Sequence, residues 1–295
     1  MPRSFSTQRL ARRELLKRAA AGSAAIAATG VSAALAIENR QPLRVIAYNV
    51  YACTGWPNDR FLAKKAKAKG QMPCRIANEL ALYEPDVVNF SESPHESAVE
   101  EIAERLGMQY VRFPSGGDWP GTLLSRFEIV DSVNAPLVNG DRPRDLFTRH
   151  WGRATIELPH REPLIVHSAH LHPSPNPETR LREIRRMLES MQGDLNAGRS
   201  MLLIGDLNHG PDAAEYKLWI EAGWTDTFAA VGEGGGLTIK ADQPQRRIDY
   251  VMAAGPIATK VKASRPLFEG AFRTNVADPA SFALSDHLPQ LAVFD

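Results

Sequence analysis

Seven short, nearly continuous apolar runs rich in β-branched residues recur along the chain, at 43–50, 86–90, 121–124, 164–170, 201–205, 248–252 and 288–294. Each is too short for a helix, and several have no polar alternation that would give them a solvent face, so they predict strands buried on both sides. Amphipathic stretches lie between them. Residues 97–106 place Val99, Ile102, Ala103 and Leu106 on one stripe, and residues 178–195 do the same with Leu181, Ile184, Leu188 and Leu195. Sheets covered by helices fit this mixture better than an all-β sandwich or a helical bundle. No internal repeat, low-complexity segment or Pro/Gly-rich linker interrupts residues 37–295, which predicts one domain over that range.

The first 36 residues have a different character. Six basic side chains (Arg3, Arg9, Arg12, Arg13, Lys17, Arg18) stand against Glu14, and an Ala/Gly/Ser-rich run follows to Ala36. Arg12-Arg13 with Leu15-Leu16-Lys17 behind it resembles a twin-arginine export signal, and Ala34-Leu35-Ala36 is a small-x-small site for a signal peptidase. The expectation is cleavage after Ala36, passage through the twin-arginine export machinery, and a periplasmic or secreted product. The alternative, a membrane anchor, suffers from the scarcity of Leu, Ile and Val in the run. With six bases and one acid removed, 29 basic and 33 acidic side chains remain, a formal net charge of −4. Nucleic-acid binding draws most of its non-specific affinity from basic surfaces, so this balance counts against DNA as the main substrate. Cys53 and Cys74 both lie in the remaining chain, and whether they form a disulfide stays open on the sequence.

Polar residues stand at the ends of the predicted strands, where a sheet rim can assemble a site. Asn49 interrupts the first run, and Glu92 follows the second. His170 and His172 close the run that begins at Leu164, on the side of Ser168 if the strand continues so far. Asp206 and Asn208 end a buried strand two residues apart, Asp249 opens another after Arg246 and Arg247, and Asp286 and His287 precede the last. Each has an ordinary structural explanation of its own: a side chain satisfying local backbone, an Asx turn, or a surface ion pair. Arg142, Arg144, Arg149 and Arg153 form a basic group, and Arg180 begins the helix after His170; either set suits an anionic substrate or a solvated face.

Taken in order, Asn49, Glu92, the stretch Gly121-Thr122-Leu123-Leu124-Ser125-Arg126, His170, Gly205-Asp206-Leu207-Asn208, Ile248-Asp249-Tyr250 and Ser285-Asp286-His287 resemble the endonuclease/exonuclease/phosphatase superfamily. That superfamily includes pancreatic deoxyribonuclease, abasic-site endonucleases, neutral sphingomyelinases and inositol polyphosphate phosphatases. The resemblance runs from about Leu43 to the C-terminus. It implies a four-layer α/β/β/α sandwich of two packed mixed β-sheets with outer helices. It also implies Glu92 as principal metal ligand with Asn49 and Asp286 beside it, Asp206 and Asn208 around the scissile phosphate, and His170 and His287 flanking the reaction. Asp249 pairs with His287 in that pattern. Mg²⁺ or Mn²⁺ suits oxygen donors of this kind, and Ca²⁺ is compatible with them.

The implied activity is metal-assisted attack of water on a phosphoester of unspecified class, by a monomer with no stable protein partner. Two departures stand out: Ser91 occupies the place where many relatives carry glutamine before the acid, and His172 adds a second histidine. His172, Arg153 and Arg180 are the candidates for contacts to substrate phosphate. Two alternatives remain, a sphingomyelinase-like lipid phosphodiesterase and a degenerate relative that binds ligand without turnover. The first calls for an exposed aromatic hairpin, for which residues 266–282 offer Phe268, Phe272 and Phe282.

Overall fold

A computed structural model describes residues 41–138, 142–275 and 277–295. The expected export signal, residues 1–36, and its expected cleavage point lie outside the described residues. Pro42–Asp295 forms a compact unit, built on two six-stranded mixed sheets. The first runs, in spatial order, β11 (Val261–Pro266), β12 (Gln290–Phe294), β1 (Leu43–Asn49), β2 (Val87–Ser91), β4 (Gly121–Ser125) and β3 (Gln109–Phe113). The second runs β5 (Ile129–Asn134), β6 (Trp151–Ile156), β7 (Leu164–His170), β8 (Met201–Asp206), β10 (Asp249–Ala254) and β9 (Thr225–Asp226).

The period of two in each strand explains the layering. Val45 and Ala47 of β1, Val87 and Leu123 pack against Ala154, Val166, Leu202, Ile204 and Val251, so the two sheets meet face to face. The alternate residues Ile46, Tyr48, Val88, Phe90 and Leu124 point the other way, onto α2 (Met72–Ala81) and α3 (Glu96–Leu106). Ile165, Met201, Leu203, Tyr250 and Met252 likewise face Ile184, Met187 and Met191 of α4 (Glu178–Asn196) and Trp219 of α5 (Ala214–Glu221). Short helices α1 (Phe61–Ala68) and α6 (Thr227–Val231) complete the set. The expected four-layer α/β/β/α sandwich is therefore the observed architecture. Among the described residues no helix is long and apolar enough to cross a membrane.

One expected stripe is rotated. α4 buries Arg180, Glu183, Ile184, Met187 and Met191 rather than Leu181, Leu188 and Leu195, which are only partly covered. The helix turns two charged residues inward because each has polar partners there.

Gly205 in β8 has φ +141°, and a Cβ at this position would lie 1.9 Å from the carbonyl oxygen of Ala169 on the neighbouring strand. A methyl group forces both a strained backbone and a separation of β7 from β8. Gly205→Ala is expected to cost roughly 2–5 kcal/mol, read as a fall of about 5–15 °C in melting temperature. An unchanged melting temperature would contradict this close approach.

Candidate active site

Register brings the strand ends together. β1 and β2 are parallel with Asn49 opposite Ser91, so Glu92 leaves the sheet beside Asn49. β7 and β8 are parallel with His170 opposite Asp206, and β10 runs antiparallel to β8 with Asp249 opposite Asp206. The last loop returns Ser285, Asp286 and His287 to the same rim: Ser285 Oγ donates to the Asn49 carbonyl at 2.6 Å. A stitch across the two sheets comes from the Asp206 backbone N–H, which donates to Ser91 Oγ at 3.4 Å.

The side chains form one linked set. His287 Nδ1 bonds Asp249 Oδ2 at 2.8 Å, which turns Nε2 toward Asn49 Nδ2 at 3.5 Å and Asp206 Oδ2 at 3.8 Å. Asn49 Nδ2 donates to Asp206 Oδ2 at 3.1 Å, and His170 Nε2 lies 3.6 Å from the same oxygen. Asp206 Oδ1 accepts the Asn208 N–H at 3.0 Å, and Asn208 Nδ2 donates to the Leu171 carbonyl at 2.9 Å, holding that residue in the left-handed region at φ 53°. These groups open into a cleft of about 1010 Å³ lined among others by Glu92, Arg149, His170, Asp206, Asn208 and His287.

Burial and crowding of charge perturb the titrating groups. Glu92 is pushed above the ordinary carboxylate range by burial, with Asp286 adding to the shift and the Asn49 amide, His287 and Arg149 opposing it. Asp286 is raised by burial, against His287. Asp206 is raised to about 7 by burial and by the neighbouring Asp249. For His287, burial alone would depress basicity, but Asp249, Asp206 and Asp286 outweigh it and raise it to about 10. His170 is driven the other way, well below its ordinary value, by burial and by His150 and Arg149.

The rim therefore holds more carboxylate than its bases neutralise, and two oxygens within it, Glu92 Oε2 and Asp249 Oδ1, are buried without a hydrogen-bond partner. Asp206, Asp249 and His287 also place donor atoms within 4.8 Å of one another, but the bond to Asp249 and the raised basicity of His287 keep that imidazole protonated, which leaves the oxygens around Glu92 for a cation. Excess negative charge, orphaned oxygens and hard donors together fit a divalent cation.

A sequence model of the Endonuclease/Exonuclease/phosphatase family matches residues 46–287, the greater part of the chain. The chain belongs to this family. No curated protein matches it by sequence. Among solved structures, an endonuclease/exonuclease/phosphatase from Bacteroides vulgatus is 17% identical, with a TM-score of 0.67 over 87% of this chain and 99% of that one. The mannosyl-6-phosphatase of Bacteroides thetaiotaomicron VPI-5482 is 16% identical, with a TM-score of 0.65 over 86% of this chain and 100% of that one. An AP endonuclease from Archaeoglobus fulgidus is 18% identical, with a TM-score of 0.61 over 86% and 99% of the two chains. At these identities the likeness is one of fold.

Within the endonuclease/exonuclease/phosphatase fold, Asn49, Glu92, His170, Asp206, Asn208, Asp249, Asp286 and His287 all lie at one rim. The three candidate phosphate contacts do not lie there as free groups. Arg153, on β6, is held by Asp131 at 3.0 Å and lies 3.9 Å from Asp194, away from the cleft lining. Arg180 borders the cleft, but its guanidinium is buried in a pair with Glu215 at 2.8 Å and donates to the carbonyls of His172 and Ser174. It braces the wall. His172 is half-buried, and its Nδ1 accepts the Ser174 N–H at 3.2 Å.

From the basic group around it, Arg149 is the residue the fold turns into the cleft: it sits over the Trp119 ring at 4.7 Å, with a buried Nε that has no partner. His209, beyond the strand end and so without a sequence signal of that kind, lines the cleft next to Asn208 and accepts from Trp219 Nε1 at 3.3 Å. Glu183, within a helix, is equally unmarked, and its two oxygens take the backbone N–H groups of Phe147 at 2.7 Å and His172 at 3.0 Å. The only sequence signal for either is a polar residue beside an apolar face. Cys53 and Cys74 are both free.

Proposed function

We propose that the chain is an exported, divalent-metal-dependent phosphoesterase that hydrolyses its substrate by in-line attack of water on phosphorus. The observation that carries this reading is the single rim at which three raised carboxyls, the Asp249–His287 pair and the orphaned Glu92 oxygen meet, beside a large cleft that Glu92, Asp206 and His287 line. Glu92, Asn49 and Asp286 would hold the cation. When bound, it supplies Lewis-acid polarisation of the phosphoryl group and offsets the substrate's negative charge. Asp206, raised toward neutrality and steadied by Asn49 and Asn208, accepts a proton from the attacking water. His287, oriented and kept protonated by Asp249, presents Nε2–H to the charge that develops on phosphorus-bound oxygen. His170 stays neutral beside Asp206, its Nε2 3.6 Å from Oδ2.

The formal charge of −4 on residues 37–295 favours a substrate other than nucleic acid. The test is a panel of phosphomonoesters and phosphodiesters, with DNA, sphingomyelin, a sugar phosphate and a chromogenic diester, each run with Mg²⁺, Mn²⁺ and Ca²⁺. Metal-dependent turnover of at least one member is the expected result. Binding without turnover across the panel would assign the chain to the degenerate class instead.

Arg149 is the residue placed to receive substrate phosphate. Arg149→Met should lower kcat/KM for the chromogenic diester about ten- to hundredfold, as expected for a hydrogen bond to a charged group worth about 1.5–3 kcal/mol. A variant at wild-type efficiency would remove Arg149 from substrate binding.

Export rests on the N-terminal sequence. The product should begin at Ile37 on N-terminal sequencing, and replacing Arg12-Arg13 by Lys-Lys should abolish its appearance outside the cytoplasm. An intact Met1 on membrane-bound material would make the segment an anchor, and unchanged export of the Lys-Lys variant would point to the general secretory route.

A further inference from the structure

α1 differs from the rest of the surface. Its sequence, Phe-Leu-Ala-Lys-Lys-Ala-Lys-Ala, buries only Ala63 and Ala66. Phe61 is 73% exposed and Leu62 37%, and Lys64, Lys65, Lys67 and the following Lys69 all face solvent. Surface helices elsewhere interleave charge, as α3 does with Glu101 and Arg105 at 3.0 Å and α4 with Arg186 and Glu189 at 3.1 Å. Among the described residues no acid pairs with any of these four lysines, although residues 37–295 carry more acids than bases. Asp59, before the helix, is the nearest acid in sequence.

The helix is also tied to the active-site loop. Arg60 donates to the Ser281 carbonyl, and Trp56 and Ala283 exchange backbone hydrogen bonds at 2.8 and 2.7 Å, three residues before Asp286.

We propose that α1 is a docking surface for an anionic lipid bilayer, with Phe61 and Leu62 entering the interface and Lys64, Lys65, Lys67 and Lys69 meeting the headgroup phosphates. Two chemistries must be satisfied at once. A DNA duplex met at its phosphates takes the lysines but leaves an adjacent aromatic and aliphatic pair in water, whereas a bilayer takes both, the lysine stems lying along the apolar boundary with their ammonium groups in the headgroup layer. The segment 266–282 offers less for this role: Phe272 is fully buried, and Phe268 is 39% exposed against 73% for Phe61, each ring lying under a cation, Arg273 at 5.2 Å and Lys65 at 5.7 Å.

This inference concerns binding and stands apart from the reaction, so its test reads no activity. Residues 37–295, which contain both sheets and all three apolar clusters, are sedimented with vesicles of phosphatidylcholine with and without phosphatidylglycerol. Binding should require the anionic lipid and weaken with salt. Lys64→Gln with Lys67→Gln should weaken it about thirtyfold, from about 1 kcal/mol per lysine at the surface, and Phe61→Ser with Leu62→Ser about tenfold or more. Thermal melting checks that both pairs of variants remain folded. Absence of vesicle binding, equal binding to neutral lipid, or binding unaffected by either pair would overturn the proposal. So would retention of duplex DNA that needs the lysines but not Phe61 and Leu62, with no vesicle binding.

Discussion

His287→Ala is expected to lower kcat by roughly two to four orders of magnitude, the usual range for a group that transfers a proton or stabilises charge in the transition state. The geometry gives the reason. Asp249 Oδ2 holds Nδ1 at 2.8 Å and leaves Nε2 facing Asp206 and Asn49 across the cleft floor. Asp249→Asn keeps the volume but removes the charge that fixes the imidazole's tautomer and keeps it protonated, so it should act through the same device. The double variant should then be little worse than His287→Ala alone, because residues working as one unit are far from additive. His287→Ala also leaves Asp249 buried beside Asp206 without its counter-charge, and loss of one partner of a buried pair costs about 3–5 kcal/mol. Rates are therefore compared below the onset of melting, at saturating metal. Independent, multiplying losses would refute the paired role, and near wild-type kcat in His287→Ala would remove that histidine from the mechanism.

Glu92→Gln should weaken activity and metal affinity together, by more than the about 10–100-fold that loss of an outer-shell partner costs. The substitution keeps the shape and withdraws one charged oxygen donor. Its effect on stability should run the opposite way. Burial and Asp286 raise the Glu92 carboxyl, so ionising it near neutral pH costs folding free energy that the neutral amide does not. Without metal the variant should melt at or above the wild-type temperature, and added Mg²⁺ should raise its melting temperature less than that of the wild type. Wild-type activity with an unchanged metal requirement would show that Glu92 is not the ligand.

The strands that carry the site were the most legible part of the sequence. β1, β2, β7, β8 and β10 are buried on both faces between a sheet and a helical layer, so their apolar runs are continuous and the polar residue that ends each run stands out. Several strands at or near the sheet margins carry no such signal. β5 exposes nearly all of Val130–Asn134, β3 covers only Phe113 fully, and β6 contains Gly152 and Arg153. β11 is broken by Lys262 and Arg265 three residues apart, and β9 has two residues. Such segments carry little periodic signal.

The rim residues are legible as an ordered set through the resemblance to the family, each being ambiguous alone, whereas the state of the arginines is not legible. Whether a guanidinium is free depends on partners distant in sequence. Glu215 takes Arg180 across 35 residues and Asp131 takes Arg153 across 22, while Arg149 meets an aromatic ring instead.

The central claim, that this rim performs metal-dependent phosphoester hydrolysis, is tested most directly by the turnover of a chromogenic phosphodiester by protein stripped with a chelator, before and after Mg²⁺ or Mn²⁺ is restored. The account predicts no turnover in the stripped protein, recovery that saturates with added metal, and no recovery in Glu92→Gln over the same range. Full turnover in the stripped protein, or equal recovery in Glu92→Gln, would contradict it.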